Sequence, residues 1–387
     1  MPEPSTSRDL RLDFFRGLSL IFIFIDHIPE NILSYGTLQA AAFFDAAEVF
    51  IFISGFTAAL VYGRRLANKG ALYATAQVLR RAWQLYVAHI FLFVLFVAEV
   101  SYTATAFKNP MYNEEMRVAG FLAEPHIAVI KALLLEFQPA FLDILPLYIV
   151  MLVIFPVILL GMQRHWLLVL APSAILYLIV QIFDISVPAY PEGHSWYFNP
   201  LAWQFLFVAG AVLGNRTGQG GSLAGLLKVA YPIAAVVFGT ALVVSVSWTI
   251  HGAWDPFPGL FLRELWPVDK NNLSPLRLVP FFALAVLVAN HVPRGARFLG
   301  STAARPLVLC GQQSLEIFCL GILLSALGQF ILSEYNSAVA TQLTINVIGI
   351  VVMFLTAGMI DWYKAMDRTP TQEPAAAARR RGGGVER

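Results

Sequence analysis

The amino-acid sequence predicts an all-α integral membrane protein, a bundle of about ten transmembrane helices with both termini in the cytoplasm. Of its 387 residues, 58% are hydrophobic and only 13% are charged, whereas soluble domains average about 25% charged residues. The mean hydropathy is +0.68. The apolar residues are gathered into runs close to the roughly 20 residues that a helix needs to cross a bilayer. This composition argues against a large soluble core.

Ten apolar runs are long enough, or nearly so, to span a membrane. They are 13–30, 42–62, 83–103, 141–162, 166–185, 198–214, 225–248, 277–291, 306–332 and 339–361. Residues 127–137 are too short to span, so we expect an interfacial or re-entrant helix there. Cys310 and Cys319 lie in the ninth run about half a turn out of phase on a helix, so a disulfide between them is not expected.

The distribution of basic residues predicts the orientation. With the N-terminus in the cytoplasm and alternating segments, most of the 26 Lys and Arg residues fall on the cytoplasmic side, as the positive-inside rule requires. The first run lacks a small-residue cleavage site and is interpreted as a retained helix. We assign 8–362 to one membrane domain and 363–387 to a disordered, basic cytoplasmic tail. The outer connection 249–276, rich in Trp, Pro and Asp, is predicted to form an ordered cap.

The first segment carries Arg16 and His27, eleven residues apart. On a helix this spacing is close to three full turns, which places both side chains on one stripe about 16 Å apart. Titratable groups inside an apolar segment are costly and therefore indicate a functional site. His27 is a candidate general base, and the adjacent Asp26 is a candidate orienting carboxylate. The alternative is a pair of polar residues at a helix end, wetted by headgroup water.

The second segment opens with Asp45 and Glu48, which share a helix face and start at the same outer level as His27. We predict that Glu48 lies within reach of His27; otherwise both are acids at a membrane interface. Further along, Ser54 and Gly55 are small residues that permit close helix packing or leave room for a ligand.

Two more groups of polar residues complete the candidate site. On the cytoplasmic side, Arg80 and Arg81 suit phosphate recognition or serve only as topology determinants. The donor-side candidates are Arg16, Asp13, Arg80, Arg81 and Ser54. On the outer side, polar and aromatic residues are predicted to line a saccharide-binding cavity: Asp143, Asn199, Trp203, Gln204, Lys270 and Arg277. Glu316, inside the ninth apolar run, is predicted to face the bundle interior.

Several common chemistries have no signature in the sequence. There is no Walker-type loop, no dinucleotide glycine fingerprint and no nucleophile elbow. No cluster of His, Cys and Asp has metal-ligand spacing, and nothing suggests nucleic-acid binding. We therefore expect neither a bound cofactor nor a metal ion.

The opening strings RLDFFRGLSLIFIFIDHIPEN and FFDAAEVFIFISGFTAALVYG resemble the OpgC family. The resemblance continues through QPAFLDILPLYIVML, WYFNPLAWQFLFVAG, DKNNLSPLRLVPFFALA and CGQQSLEIFCLG, roughly over 8–362. The family is named for succinyl transfer to osmoregulated periplasmic glucans. It is similar to the wider acyltransferase-three class, whose signature is a basic residue, ten intervening residues and a His. The resemblance implies that His27 is the catalytic base, that Arg16 positions the acyl donor, and that the protein lies in a bacterial inner membrane.

The resulting hypothesis is acyl transfer across the bilayer. Acyl-CoA, with succinyl-CoA as the donor that the resemblance suggests, enters from the cytoplasm, and a hydroxyl of a periplasmic glucan or other saccharide enters from the outside. Lys270 or Arg277 would hold the distal carboxylate of a succinyl group. The alternatives are a transporter or flippase for a saccharide or lipid-linked substrate, and a non-catalytic membrane partner in glucan biosynthesis. Beyond these substrates, the expected partners are membrane lipid and other glucan-biosynthesis membrane proteins.

Overall fold

The computed structural model describes residues 8–249 and 268–367. The helices are α1 Leu10–Asp26, α2 Leu38–Ala41, α3 Ala46–Lys69, α4 Ala71–Ala106, α5 Met111–Glu115, α6 Ala119–Ala123, α7 Pro125–Leu133, α8 Ile144–Arg164, α9 Leu167–Phe183, α10 Pro200–Gly218, α11 Ala224–Thr249, α12 Pro275–His291, α13 Arg305–Gln312, α14 Ser314–Glu334 and α15 Val339–Met366. Strands β1 Pro188–Ala189 and β2 His194–Ser195 form a small antiparallel hairpin. The predicted outer cap and tail lie largely outside the described residues.

Helices occupy each of the ten apolar segments that the sequence predicts. Six of them, α3, α4, α8, α11, α14 and α15, are long and apolar enough to cross a membrane by length and composition, and α9 and α12 are shorter apolar helices. The protein is therefore an all-α protein of the membrane class. That all ten segments cross the bilayer, and that both termini are cytoplasmic, remain predictions. The two cysteines are free, as their spacing predicted.

The ninth segment differs from the prediction because it is two helices rather than one. Residue Gln313 separates α13 from α14, so Glu316 falls in the first turn of α14. Its side chain is exposed and lies 3.7 Å from the ammonium of Lys364. The prediction that Glu316 faces the bundle interior is wrong, because the helix break places it at a helix start. The last helix also runs to Met366, past the boundary predicted at residue 362.

The direction of the helices places the polar termini together. The end of α1, the starts of α3 and α8, and the segments that lead into α10 and α12 contribute residues to one cavity. Consecutive apolar segments that alternate in direction produce this arrangement. The predicted alternation therefore agrees with the geometry, although the side of the membrane on which this end lies is still a prediction.

Glycines bring the central helices into backbone contact. A Cβ atom added to Gly17 of α1 would lie 1.9 Å from the carbonyl oxygen of Leu307, and one added to Gly311 of α13 would lie 1.8 Å from that of Asp13. In the same way, a Cβ on Gly55 of α3 would lie 2.0 Å from the carbonyl oxygen of Phe207 on α10. Small residues permit this close approach in membrane proteins. The packing interpretation of Gly55 is confirmed.

Replacing Gly55 by alanine is expected to lower the free energy of unfolding by about 1–3 kcal/mol, because the new methyl group forces α3 and α10 apart. The matched control is Gly239→Ala on α11, where nothing lies within 4 Å of the added Cβ. That substitution is expected to be neutral or slightly stabilising, since alanine is the better helix former. Denaturant unfolding in detergent micelles measures both. Equal stability of the two variants would contradict the close α3–α10 contact.

Candidate active site

A polar cavity of about 260 Å³ lies at the end of the bundle where α1 ends. Its charged and polar lining is Asp26, His27, Gln39, Asp45, Arg117, Asp143, Tyr197 and Lys270, and its apolar lining includes Phe141, Phe198 and Phe318. Three carboxylates, two cations and one imidazole therefore face one space. Such a mixture of polar groups and aromatic rings is typical of a small-molecule site.

His27 caps the C-terminal end of α1, and its ring forms one wall of the cavity. The imidazole stacks on the ring of Phe141, with centroids 4.4 Å apart and planes 26° from parallel. Its Nδ1 atom is buried and has no hydrogen-bond partner in the described part of the chain. Phe141 itself adopts a left-handed backbone conformation with φ of 70°, which is unfavourable for a bulky residue. Strained residues of this kind cluster at functional sites.

Asp26 lies in the same cavity, but it does not contact His27 through a hydrogen bond. Its Oδ1 atom accepts a hydrogen bond of 2.7 Å from the hydroxyl of Thr37. Its other carboxylate oxygen is buried and lacks a partner among the described residues. Adjacent residues on a helix diverge by about 100°, which explains why the two side chains point to different partners. The role of Asp26 in orienting the imidazole stays a prediction.

Glu48 has a different position from the one that the sequence suggested. It is fully buried and does not line the cavity. Its Oε1 accepts a 2.6 Å hydrogen bond from Nε of Arg277, while its Oε2 accepts one of 3.0 Å from the backbone N–H of Asp45. Together with the Asp45 carboxylate, which accepts from the N–H of Ala47, this forms a capping box at the start of α3. These contacts correct the expectation that Glu48 meets His27, since both of its oxygens are engaged elsewhere.

Asp45 connects this buried cluster to the cavity. Its Oδ2 atom lies 2.6 Å from Nζ of Lys270 and 3.0 Å from Nη2 of Arg277. Burial alone would lower the pKa of Lys270, but the charge of Asp45 outweighs it and raises that pKa above its usual range. Lys270 therefore carries a positive charge at the cavity wall. Arg277 is buried behind it and does not line the cavity, contrary to the prediction.

Three other predicted lining residues, Asn199, Trp203 and Gln204, are buried and support the cavity from behind. Asn199 caps α10 and donates to the side chain of Asn272 at 2.8 Å. Trp203 donates through Nε1 to the carbonyl oxygen of Lys270 at 3.1 Å. Gln204 donates to the carbonyl oxygen of Ser173 at 2.9 Å. Their polar atoms hold the Lys270 loop and α9, so the prediction that these three residues line the cavity is wrong.

Of the predicted outer residues, only Asp143 and Lys270 line the cavity. The sequence interpretation missed Arg117, Phe141, Tyr197 and Phe198. The Arg117 guanidinium lies 5.6 Å from the ring centroid of Tyr197, and Nζ of Lys270 lies 5.6 Å from the same ring. Two cations therefore flank one aromatic wall. The signals available in the sequence were the basic residues between the third and fourth apolar segments, which include Arg117, and the aromatic residues just before the sixth segment.

On the predicted donor side, Arg16 connects α1 to α3. Its Nη2 donates to the hydroxyl of Thr57 at 2.8 Å and to the carbonyl oxygen of Ile53 at 3.4 Å. These bonds confirm that the first two long helices are neighbours. Within residues 8–249 and 268–367, no carboxylate forms a salt bridge with Arg16. A partly buried guanidinium without a counter-ion is costly, and it is available to an anionic ligand.

The remaining donor-side candidates have separate surroundings. Asp13 is buried and pairs with both Nε and Nη2 of Arg8, so its charge is already neutralised. Arg81 is partly buried and donates to Gln84 one turn along α4 at 3.4 Å, whereas Arg80 is exposed. Ser54 is buried within α3. Among these candidates, Arg16 and Arg81 are the partly buried cations without a salt bridge to a described carboxylate.

The fold and the site together define a polytopic helical membrane protein with a histidine facing a charged cavity. A neutral imidazole in that position can accept a proton from a bound hydroxyl group. The sequence model of the OpgC protein family matches residues 8–365. The chain therefore belongs to the OpgC family, whose name implies a transferase. No curated protein matches the chain.

Proposed function

We propose that this protein is a membrane O-acyltransferase that moves an acyl group from cytoplasmic acyl-CoA to a hydroxyl of a periplasmic glucan or other saccharide. The observation that carries the proposal is the His27 ring, which faces a polar cavity of about 260 Å³. Membership of the OpgC family supports the acyl-transferring class. The cavity walls suit a saccharide, because they combine carboxylates for hydrogen bonding with the aromatic faces of Phe141 and Tyr197.

The proposed step is a direct transfer. His27 takes the proton of the saccharide hydroxyl as its oxygen attacks the thioester carbonyl carbon. A carbon–oxygen bond forms, the carbon–sulfur bond breaks, and the imidazolium passes its proton to the departing CoA thiolate. The products are a saccharide ester and free CoA. Asp26 and Asp45, which line the same cavity, would stabilise the imidazolium through space.

The donor is proposed to bind at the opposite end of α1. Arg16, which has hydrogen bonds but no counter-ion among the described residues, would bind an anionic part of acyl-CoA, with Arg81 nearby on α4. A guanidinium provides several N–H donors in a planar fork that suits phosphate oxygens. Because Arg16 and His27 lie on one helix, the donor would extend along α1 from the cytoplasmic side towards the cavity.

Inverted membrane vesicles test the proposal. They are supplied with acyl-CoA labelled in the acyl group and loaded with a soluble glucan oligosaccharide, and the label is followed into saccharide by mass spectrometry. We expect covalent label that depends on the protein. Movement of unlabelled saccharide without acylation would instead identify a transporter. If neither acylation nor movement is detected, a non-catalytic role in glucan assembly is the remaining interpretation. Either of these two outcomes overturns the proposal.

Phe141→Leu is expected to reduce transfer about two- to tenfold, because the substitution removes the aromatic face that holds the His27 ring. Stacked aromatic pairs contribute about 0.5–1.5 kcal/mol of interaction energy beyond that of burying their surface. Losing this contact is expected to raise the activation free energy of transfer by a similar amount, because His27 is then less well oriented. Phe141→Tyr, which keeps the face, is the matched control and should retain activity. Initial rates at saturating acyl-CoA provide the measurement. Unchanged activity in Phe141→Leu would show that the stack does not position the base.

A further inference from the structure

The polar cavity has an apolar floor. Its deepest lining residues on the four surrounding helices are Ile23 of α1, Ala47 of α3, Ile144 of α8 and Phe318 of α14. The polar surroundings of Arg16 lie beneath this floor. On α1, Ile23 follows Arg16 by seven residues, which corresponds to about 10 Å along the helix axis. A thin apolar layer therefore separates two polar regions of the same bundle.

Phe50 lies in the middle of this layer. On α3 it is three residues from Ala47, at the cavity floor, and three residues from Ile53, whose carbonyl oxygen accepts a hydrogen bond from Arg16. Each step corresponds to about 4.5 Å along the helix axis. The Phe50 side chain is only 4% exposed and does not line the cavity. Its ring is therefore inside the bundle, between the two polar regions.

Two other aromatic rings hold Phe50 in place. The ring centroid of Phe50 lies 6.4 Å from that of Phe318 and 6.4 Å from that of Tyr148, and the Tyr148 ring meets it edge-on. Aromatic pairs attract one another at centroid distances of about 4.5–7 Å. Phe318 belongs to the cavity floor, whereas the Tyr148 hydroxyl interacts electrostatically with Arg16. The three rings thus form a continuous series from one polar region to the other.

An apolar layer of this kind obstructs water, ions and protons. A polar group that enters it loses its hydrogen bonds to water without gaining others, and apolar constrictions close membrane passages by excluding water. Arg16 on one side is partly exposed, and the cavity on the other side is polar. The aromatic series is therefore the obstacle on the route along α1.

We propose that Phe50 is a hydrophobic gate, which closes the route along α1 in this structure and moves aside when a donor molecule passes from Arg16 to the cavity. The closed gate goes beyond the proposed function, because it would seal the membrane whatever the protein transfers. The opening of the gate rests on the proposed function, in which acyl-CoA extends along α1. The gate rings are carried by α3, α8 and α14, so the gate can open while α1 stays in place.

The proton permeability of liposomes that contain the purified protein and a trapped pH-sensitive dye tests the closed gate. Wild-type protein should leave the permeability close to that of protein-free liposomes. Phe50→Ala should raise the rate of pH equilibration about tenfold, which corresponds to a barrier lower by about 1.4 kcal/mol. The reason is that the void left by the ring joins two polar regions, which supply hydrogen-bond partners for water at both ends.

Phe330→Ala is the matched control. Phe330 is also buried, at 2% exposure, but its ring packs against Tyr112 with centroids 4.8 Å apart, and it does not line the cavity. This variant should keep wild-type permeability. A rise of equal size in both variants, or wild-type permeability in Phe50→Ala, would overturn the gate. If Phe50→Ala fails to accumulate in the membrane, Phe50→Leu and Phe330→Leu are compared by the same criteria, because leucine keeps more of the apolar volume.

Phe50→Trp tests the opening of the gate. The larger ring should keep the permeability low and slow the transfer of labelled acyl groups to a glucan oligosaccharide about tenfold, because an enlarged side chain between packed helices is displaced less readily. Phe330→Trp should transfer at nearly the wild-type rate per inserted protein. An unchanged transfer rate in Phe50→Trp would contradict the opening. Absence of transfer in wild-type protein would overturn the proposed function and the opening with it, whereas the permeability of Phe50→Ala would still decide whether Phe50 closes the route.

Discussion

His27→Ala should lower the rate of acyl transfer by about 10²–10⁴-fold, the usual contribution of a positioned general base. The imidazole is the only histidine side chain that lines the cavity, and no other histidine within the described residues stands in for it there. The amount of protein in the membrane should stay close to wild type, because Nδ1 of His27 has no hydrogen-bond partner to lose among the described residues. Initial rates with labelled acyl-CoA and quantitative immunoblotting of membranes provide the two measurements.

The matched control is His126→Ala, which removes an exposed histidine at the start of α7, away from the cavity. Its transfer rate should equal that of wild-type protein. Product formation at the normal rate by His27→Ala would remove His27 from the mechanism. The proposed reaction would then need a different base among Asp26, Asp45 and Asp143.

Arg277→Met should lower the free energy of unfolding by about 3–5 kcal/mol, because it leaves the Glu48 carboxylate buried without a counter-ion. Glu48 is fully buried and receives its 2.6 Å hydrogen bond from Arg277. Lys270 continues to neutralise Asp45, so the penalty falls on Glu48. Adding Glu48→Gln to the Arg277→Met variant should restore part of the stability, since it removes the unpaired charge. Guanidinium unfolding in detergent micelles, followed by far-ultraviolet circular dichroism, measures all three proteins.

Lys131→Met is the control for this experiment. It breaks the more exposed ion pair between Lys131 and Glu136, whose side chains are 37% and 38% exposed. Exposed pairs contribute about 0–1 kcal/mol, so this variant should unfold near the wild-type midpoint. If Arg277→Met is no less stable than Lys131→Met, the buried cluster does not secure the start of α3 in the way that its contacts imply.

The apolar segments and the first helix could be predicted from sequence because they depend on local pattern. The runs of hydrophobic residues place a helix over every predicted segment. The eleven-residue spacing of Arg16 and His27 predicted one helix with a polar group near each end. In the structure these two groups lie in different polar regions of the bundle. In both cases the relevant information lies within a single segment.

The partners of the polar residues could not be predicted because they come from distant parts of the chain. Glu48 meets Arg277, which is 229 positions away, and no spacing within α3 shows which cation lies opposite. Trp203 resembled a cavity-lining aromatic, yet its N–H is used by the carbonyl oxygen of Lys270. Arg117 lies in a turn between two short helices, where hydrophobic periodicity gives no signal.

The backbone contact between Gly17 and Gly311 also limits how the protein can move. The backbone of α1 packs directly against α13 at these glycines. Its C-terminal half is held by the Ser325 hydroxyl, which donates to the carbonyl oxygen of Phe24 at 3.0 Å, so α1 cannot slide along its own axis without breaking both contacts. Arg16 and His27 therefore keep fixed positions relative to α13 and α14, and the helix that carries both keeps the distance between them constant. A molecule that contacts both residues must span that distance, and any opening that admits it is expected to involve helices other than α1.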